Sequence, residues 1–155
     1  VAPAQINLEI TETAAAHSDM LENNIKILHK QGIEFSLDDY GSGYSNTDYL
    51  FRFPFRIVKI DKTILWEAFK NEKAMIALRN TIRMIKELGL EIVVEGVENQ
   101  EYVDYLTEQH CDYLQGYFYS KPIPDRDFLE LLRRENAQYY AERFSKNELS
   151  DIITT

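Results

Sequence analysis

Ser36-Leu37-Asp38-Asp39, followed at once by Tyr40-Gly41-Ser42-Gly43-Tyr44-Ser45, is an apolar run that ends in two carboxylates and a glycine loop. Carboxylates seldom sit in an apolar strand unless something compensates them. Adjacent aspartates repel each other unless cations intervene, and paired carboxylates suit two-metal hydrolytic sites. The glycines permit a tight loop and close approach to a ligand. The loop is not a Walker phosphate loop, because no Gly-Lys-Ser/Thr follows. It is not a dinucleotide fingerprint either, because Asn46 stands where the third glycine would be.

The pattern recurs on both sides of this stretch. Leu8-Glu9-Ile10-Thr11-Glu12 precedes it, and Val58-Lys59-Ile60-Asp61, Val93-Val94-Glu95-Gly96-Val97-Glu98 and Leu114-Gln115-Gly116-Tyr117 follow. Four runs with carboxylates and a fifth with an amide predict strand ends converging on one cationic or metal-bearing site. Parallel strands of a β/α barrel produce that arrangement at their C-terminal ends.

Helical patterns separate the runs. Leu21, Ile25 and Leu28 mark one face of a helix starting near Ser18 and stopped by Gly32. A short helix from about Asn46 must end before Pro54. Met75, Leu78, Ile82 and Ile85 mark a long helix over 72–88, closed by Gly89. Asn99 is an N-cap for a helix carrying Val103 and Leu106. A last amphipathic helix starts near Asp125 with Phe128, Leu131 and Leu132. Strands are expected over 34–39, 56–61, 91–97 and 113–119, the first three of these apolar on both faces until their ends. The alternation predicts an α/β fold with parallel strands and right-handed crossovers.

The 155 residues favour one domain with a sizeable core. Residues 1–135 read as the folded portion and 136–155 as a helical or partly disordered extension. A net charge of −9 offers no basic footprint for a nucleic-acid polymer, yet bound metals would still admit a phosphate ligand. No apolar run is long enough to span a bilayer, so no direct membrane insertion is expected. Cys111 is alone, which excludes an intrachain disulfide and fits a reducing, cytoplasmic setting. The chain begins Val1-Ala2-Pro3, with neither a methionine nor a signal-peptide pattern, as a piece of a longer protein or a processed start would.

The remaining residues sort by chemistry. Glu9 and Glu12, taken alone, read as an exposed strand end and a helix-capping glutamate. Lys59 and Asp61 share a face at strand spacing, which suits either an ion pair or the orientation of a water. Glu98 either joins the site or caps the next helix. His17, His29 and His110 form no metal pattern and read as solvated surface. Cys111 reads as a structural thiol, while Trp66, Tyr139 and Tyr140 suggest nothing beyond a dimer surface.

Taken in order, Leu8 to Glu12, Leu37 to Ser45, Val58-Lys59-Ile60-Asp61-Lys62, Val94 to Glu98 and Leu114-Gln115-Gly116-Tyr117-Phe118-Tyr119-Ser120-Lys121-Pro122 resemble the EAL family of cyclic di-GMP phosphodiesterases. The match runs from about Asn7 to Leu132. The resemblance implies a (β/α)8 TIM-type barrel, two Mg2+ or Mn2+ ions, and hydrolysis of cyclic di-GMP to linear pGpG in bacterial signalling. It casts Glu9, Asp38 and Asp39 as metal ligands, with Asp38 bridging and Asp39 serving the second ion. Lys59 would orient or polarise the attacking water, Glu95 would bind metal or water, and Gln115 would hold the hydrogen-bond network. Glu12 would steady the loop that Gly41 and Gly43 shape, and Asp61 and Glu98 would be secondary.

The family's Glu-Ala-Leu motif and the strand with its metal-binding asparagine are absent from this chain and expected upstream of Val1. A full barrel has eight strands in about 250 residues. About five βα units are legible here, so the expectation is the C-terminal portion of such a domain. Its open edges would self-associate, as a homodimer for instance, or pair with the missing piece. The alternatives are a catalytically inactive cyclic di-GMP-binding or protein-interaction module, and an unrelated metal-dependent barrel hydrolase. A membrane tether, if any, would belong to other domains of the parent protein.

Overall fold

The computed structural model describes residues 2–15, 19–43 and 47–143. The described chain divides into two compact units, one ending at Tyr119 and one beginning at Ser120. The first unit contains β1 (Asn7–Thr11), α1 (Glu12–Ala15), α2 (Asp19–Lys30), β2 (Glu34–Tyr40), α3 (Asp48–Arg52), β3 (Ile57–Ile60), α4 (Lys62–Ala68), α5 (Glu72–Glu87), β4 (Glu91–Val94), α6 (Gln100–Glu108) and β5 (Tyr113–Leu114). The second contains α7 (Asp125–Arg143).

All five strands are parallel and lie in chain order, β1-β2-β3-β4-β5. This is the α/β strand–helix arrangement that the sequence pattern predicts. Phe35, Leu37, Val58, Ile60, Ile92 and Val94 are buried in one cluster with Ile25, Leu65, Leu78, Ile82, Ile85 and Leu106 from the helices. The helix faces read from the sequence therefore cover one face of the sheet, with Leu21, Leu28, Met75 and Val103 at the margin of that core.

Burial alternates along β3 and β4, so Lys59 and Val93 stand half-buried on the opposite face. The expected apolar character on both faces holds at Ile57 and Val93, but the second face is only half-buried and also carries Lys59.

Four strand boundaries also differ from expectation. β2 extends to Tyr40, with a register shift between Leu37 and Tyr40. β3 stops at Ile60 because Asp61 caps α4, its carboxylate accepting from the Thr63 backbone N–H at 2.9 Å and from the Thr63 hydroxyl. β4 ends at Val94 instead of running to Val97, and Gly96 adopts a φ of +73°. β5 has only Tyr113 and Leu114, because the chain then turns so that Gly116 packs on the Val97 backbone. Helices α1 and α4 have no counterpart in the sequence expectations. The expected helix starts at Ser18 and Asn46, His17, Tyr44 and Ser45, and everything after Arg143 lie outside the described residues, as do the side chains of Tyr139 and Tyr140.

Candidate active site

Asp38 and Asp39 lie near the end of β2, Glu95 and Gln115 just beyond β4 and β5, and Glu9 in the middle of β1, while Lys59 of β3 is the hub. Its ammonium lies 2.8 Å from Asp38 Oδ1, 3.1 Å from Glu95 Oε1 and 3.2 Å from Glu9 Oε1. Its side chain is only 11% exposed. Burial pushes the Lys59 ammonium down, but bonds to Asp38, Glu95 and Glu9 outweigh it, so the group is held above its ordinary range. Lys59 is therefore a fixed cation and hydrogen-bond donor at neutral pH.

Asp38 and Asp39 would point to opposite faces of a regular strand. Here Leu37 pairs with Val58 and Tyr40 with Ile60, so the two aspartates together oppose Lys59 alone. This is a β-bulge, and Asp39 completes it with a φ of 57°. As a result, carboxylate oxygens of Asp38, Asp39 and Glu95 lie within 4.8 Å of one another.

The donor set fits a divalent cation. Carboxylates are hard oxygen ligands, and three of them so close together need more positive charge than one ammonium supplies. Asp38 Oδ1 is buried, and its 2.8 Å ion pair with Lys59 uses only part of its acceptor capacity, which leaves a lone pair for a cation. Glu9, the middle residue of β1 and half exposed, stands beside the cluster through Lys59.

Glu12 is buried and opens α1, and its Oε2 accepts from the Gly41 N–H at 3.2 Å. It thereby ties β1 to the loop after β2. Gly41 has a φ of +91°, whereas Gly43 has open space where a side chain would go. Burial, with Glu12 nearby, raises the Tyr40 phenol above its ordinary range.

A cleft of about 210 Å3 adjoins the cluster, lined by Lys62, Trp66, Glu95, Glu98, Gln115 and Tyr117 among others. Gln115 and Glu98 therefore share this cleft with Glu95. Helix α6 is capped by Asn99, which accepts from the Tyr102 N–H at 2.9 Å, so the capping alternative for Glu98 is overturned. Asp61 is buried as the α4 cap and makes no ion pair with Lys59, because its side chain turns to Thr63.

Trp66 was missed by the sequence expectations. Its indole N–H donates to the Gly96 carbonyl at 2.8 Å, and Lys62 Nζ lies 5.4 Å from its ring centroid. The signal available was Asp61 followed two residues later by Thr63, an N-cap pattern that marks α4 and so places Trp66 beside the end of β4.

The comparisons with known proteins agree with this architecture. A family model, EAL domain, matches residues 1–122. The chain is 35% identical over 130 residues to the cyclic di-GMP phosphodiesterase RocR of Pseudomonas aeruginosa, covering 83% of this chain and 33% of RocR. It superimposes on the PaMucR phosphodiesterase in complex with c-di-GMP with a TM-score of 0.77 and 31% identity, covering 83% of this chain and 52% of that one. A manganese and cyclic di-GMP complex of Klebsiella pneumoniae BlrP1 gives a TM-score of 0.73 at 28% identity, covering 79% of this chain and 31% of that one. The chain thus spans about a third of RocR and half of the PaMucR structure. With the family model covering most of its length, this chain belongs to the EAL domain family.

Proposed function

We propose that this chain carries the C-terminal part of the active site of a cyclic di-GMP phosphodiesterase, which hydrolyses one phosphodiester bond to give linear pGpG. The supporting observation is the convergence of Asp38, Asp39 and Glu95 around Lys59 at the ends of three adjacent strands. Asp38, Asp39 and Glu95, with Glu9 beside them, would hold Mg2+ or Mn2+. When bound, such ions neutralise phosphodiester charge and make a bound water more acidic.

The protein groups do the rest. Lys59, held among Asp38, Glu95 and Glu9, is placed to donate a hydrogen bond to the attacking water or to a phosphoryl oxygen. Glu95, 3.1 Å from the Lys59 ammonium, would orient that water. The water oxygen bonds to phosphorus as the water gives up a proton to solvent, and the bond from phosphorus to one ribose oxygen breaks, that oxygen taking a proton from solvent. Gln115 offers an amide from the neighbouring cleft, and Glu12 holds the Gly41 end of the loop. Glu98 and Asp61 remain secondary.

We further propose that residues 1–135 are the barrel portion and 136–155 an extension, and that the domain works in the cytoplasm. Among the described residues no helix is long and apolar enough to cross a membrane. β1 and β5 form the two edges of the sheet, and self-association, such as a homodimer, would use them.

The test is incubation with cyclic di-GMP and Mn2+ or Mg2+, followed by chromatography for pGpG. Product that disappears with EDTA and with Asp38→Ala supports the proposal. No product from the natural full-length protein under either metal overturns it and favours a binding module.

A further inference from the structure

We infer that Trp66 is a positioning residue, which fixes Glu95 in the carboxylate cluster by holding the Gly96 carbonyl. The sheet ladder stops at Val94, so Glu95 stands on irregular backbone just beyond a strand. Such a residue keeps its place only if the surrounding peptide groups are held. Here each is held from a different direction. The Glu95 N–H donates to the Ile60 carbonyl at 3.1 Å, and the Val97 N–H donates to the Gln115 carbonyl at 3.1 Å. Between them, the Gly96 carbonyl accepts the Trp66 indole N–H at 2.8 Å, a bond from a side chain 30 residues away.

The packing leaves little slack. A Cβ on Gly96 would lie 2.3 Å from Lys62 Cβ and 3.0 Å from Trp66 Nε1, so α4 presses directly on this backbone. The Lys62 ammonium over the indole ring helps fix the ring plane. Without the indole donor, the part-buried Gly96 carbonyl loses its partner. The peptide then rotates toward solvent in the adjoining cleft and carries Glu95 away from Asp38 and Asp39. Groups that orient metal-binding side chains commonly matter tenfold or more to affinity.

The kinetic consequence rests on the phosphodiesterase proposal, whereas the binding consequence requires only that Asp38, Asp39 and Glu95 form a cation site. The experiment is therefore a double-mutant cycle read by Mn2+ titration calorimetry on the natural full-length protein. Trp66→Phe, and replacement of Trp66 by benzothienylalanine, which keeps the bicyclic ring and removes the N–H, are each made alone and with Glu95→Gln. Both should weaken Mn2+ binding about tenfold when Glu95 is present and less than about twofold in Glu95→Gln. The sulfur analogue keeps the ring volume, so its thermal midpoint should match the wild type within a few degrees.

If the protein hydrolyses cyclic di-GMP, the same variants should lower kcat with KM nearly unchanged. Unchanged Mn2+ affinity, or equal weakening with and without Glu95, overturns the positioning role. So does a wild type that binds no Mn2+. An intact Mn2+ cycle in a protein that makes no pGpG upholds the role of Trp66 and removes the phosphodiesterase proposal instead.

Discussion

Lys59 Nζ lies 2.8 Å from Asp38 Oδ1 with its side chain almost fully covered, so one ammonium compensates a carboxylate cluster that β1, β2 and β4 supply. Removing one member of a buried charge network leaves the others uncompensated. Lys59→Met should therefore destabilise the metal-free protein by about 2 kcal/mol, less than the 3–5 kcal/mol typical of fully buried pairs because Glu9 is half exposed. Urea unfolding in EDTA measures this. Added Mn2+ should narrow the deficit, since a cation at Asp38, Asp39 and Glu95 replaces the lost charge. Hydrolysis should fall by about a hundredfold or more even with Mn2+ present, because the fixed donor is gone. A variant with wild-type stability in EDTA would contradict the role given to this contact.

Asp61 illustrates a site candidate that turns out to hold the scaffold. Its carboxylate accepts from the Thr63 N–H in the first turn of α4, the helix that carries Lys62 and Trp66 to the cleft. Asp61→Ala should cost about 1 kcal/mol by the loss of a helix cap, and Asp61→Asn much less, because asparagine caps equally well. Chemical denaturation with an unchanged m-value would register it. Equal losses for both variants would mean that the negative charge of Asp61, rather than its capping oxygen, is what matters.

The βα rhythm was legible because apolar periods of two and of three to four residues alternate cleanly, with glycine or asparagine at the joints. Glu9, Asp38, Lys59 and Glu95 were legible for a related reason, since polar side chains at the ends of apolar strands invite one explanation. The bulge that swings Asp39 beside Asp38 was not, because it depends on a left-handed φ that aspartate tolerates but does not announce. Helix α4 is hidden in the sequence because Asp61, its N-cap, shares strand spacing with Lys59 and so carries two readings at once. The Trp66 bond to Gly96 joins residues 30 apart, beyond the reach of any local pattern. β5 shrinks to two residues because Gly116 turns into the Val97 backbone, a tertiary contact that overrides the strand propensity of Tyr117-Phe118-Tyr119.

Gly96 and Gly116 clamp the same turn and differ in what a methyl group would meet. On Gly96 it meets the Lys62 side chain at 2.3 Å and backbone at 3.2 Å, with a φ of +73° that disfavours any Cβ. On Gly116 it meets the Val97 carbonyl oxygen at 2.0 Å, with backbone nitrogen and carbon behind it. Lys62 Cβ is fixed to the α4 backbone, so neither contact can be relieved by rotating a side chain. Gly96→Ala and Gly116→Ala should each cost about 3–4 kcal/mol, both by urea midpoint. Because the Gly96 change displaces the peptide after Glu95, it should also weaken Mn2+ binding more than its stability loss alone accounts for. An alanine at Gly116 tolerated without loss would mean that this close approach does not persist in solution.

Cys111 is the pH probe that the fold provides away from the site. Burial pushes its thiol up from 9.0 to about 12, against the pull of the Lys86 ammonium and with some help from Asp112. The folded state thus retains a proton that the unfolded chain releases. The stability linked to this group is complete below pH 9 and drains away as pH rises from 9 toward 12. Urea midpoints should fall over that interval, and Cys111→Ala should fall less, which separates the thiol from the tyrosines and lysines titrating nearby. Because the thiolate is the nucleophile, iodoacetamide at about pH 8 should alkylate the folded protein at least about a hundredfold more slowly than the urea-unfolded chain. Rapid alkylation under folded conditions would show that the α6–β5 turn opens to solvent far more often than its packing against the core implies.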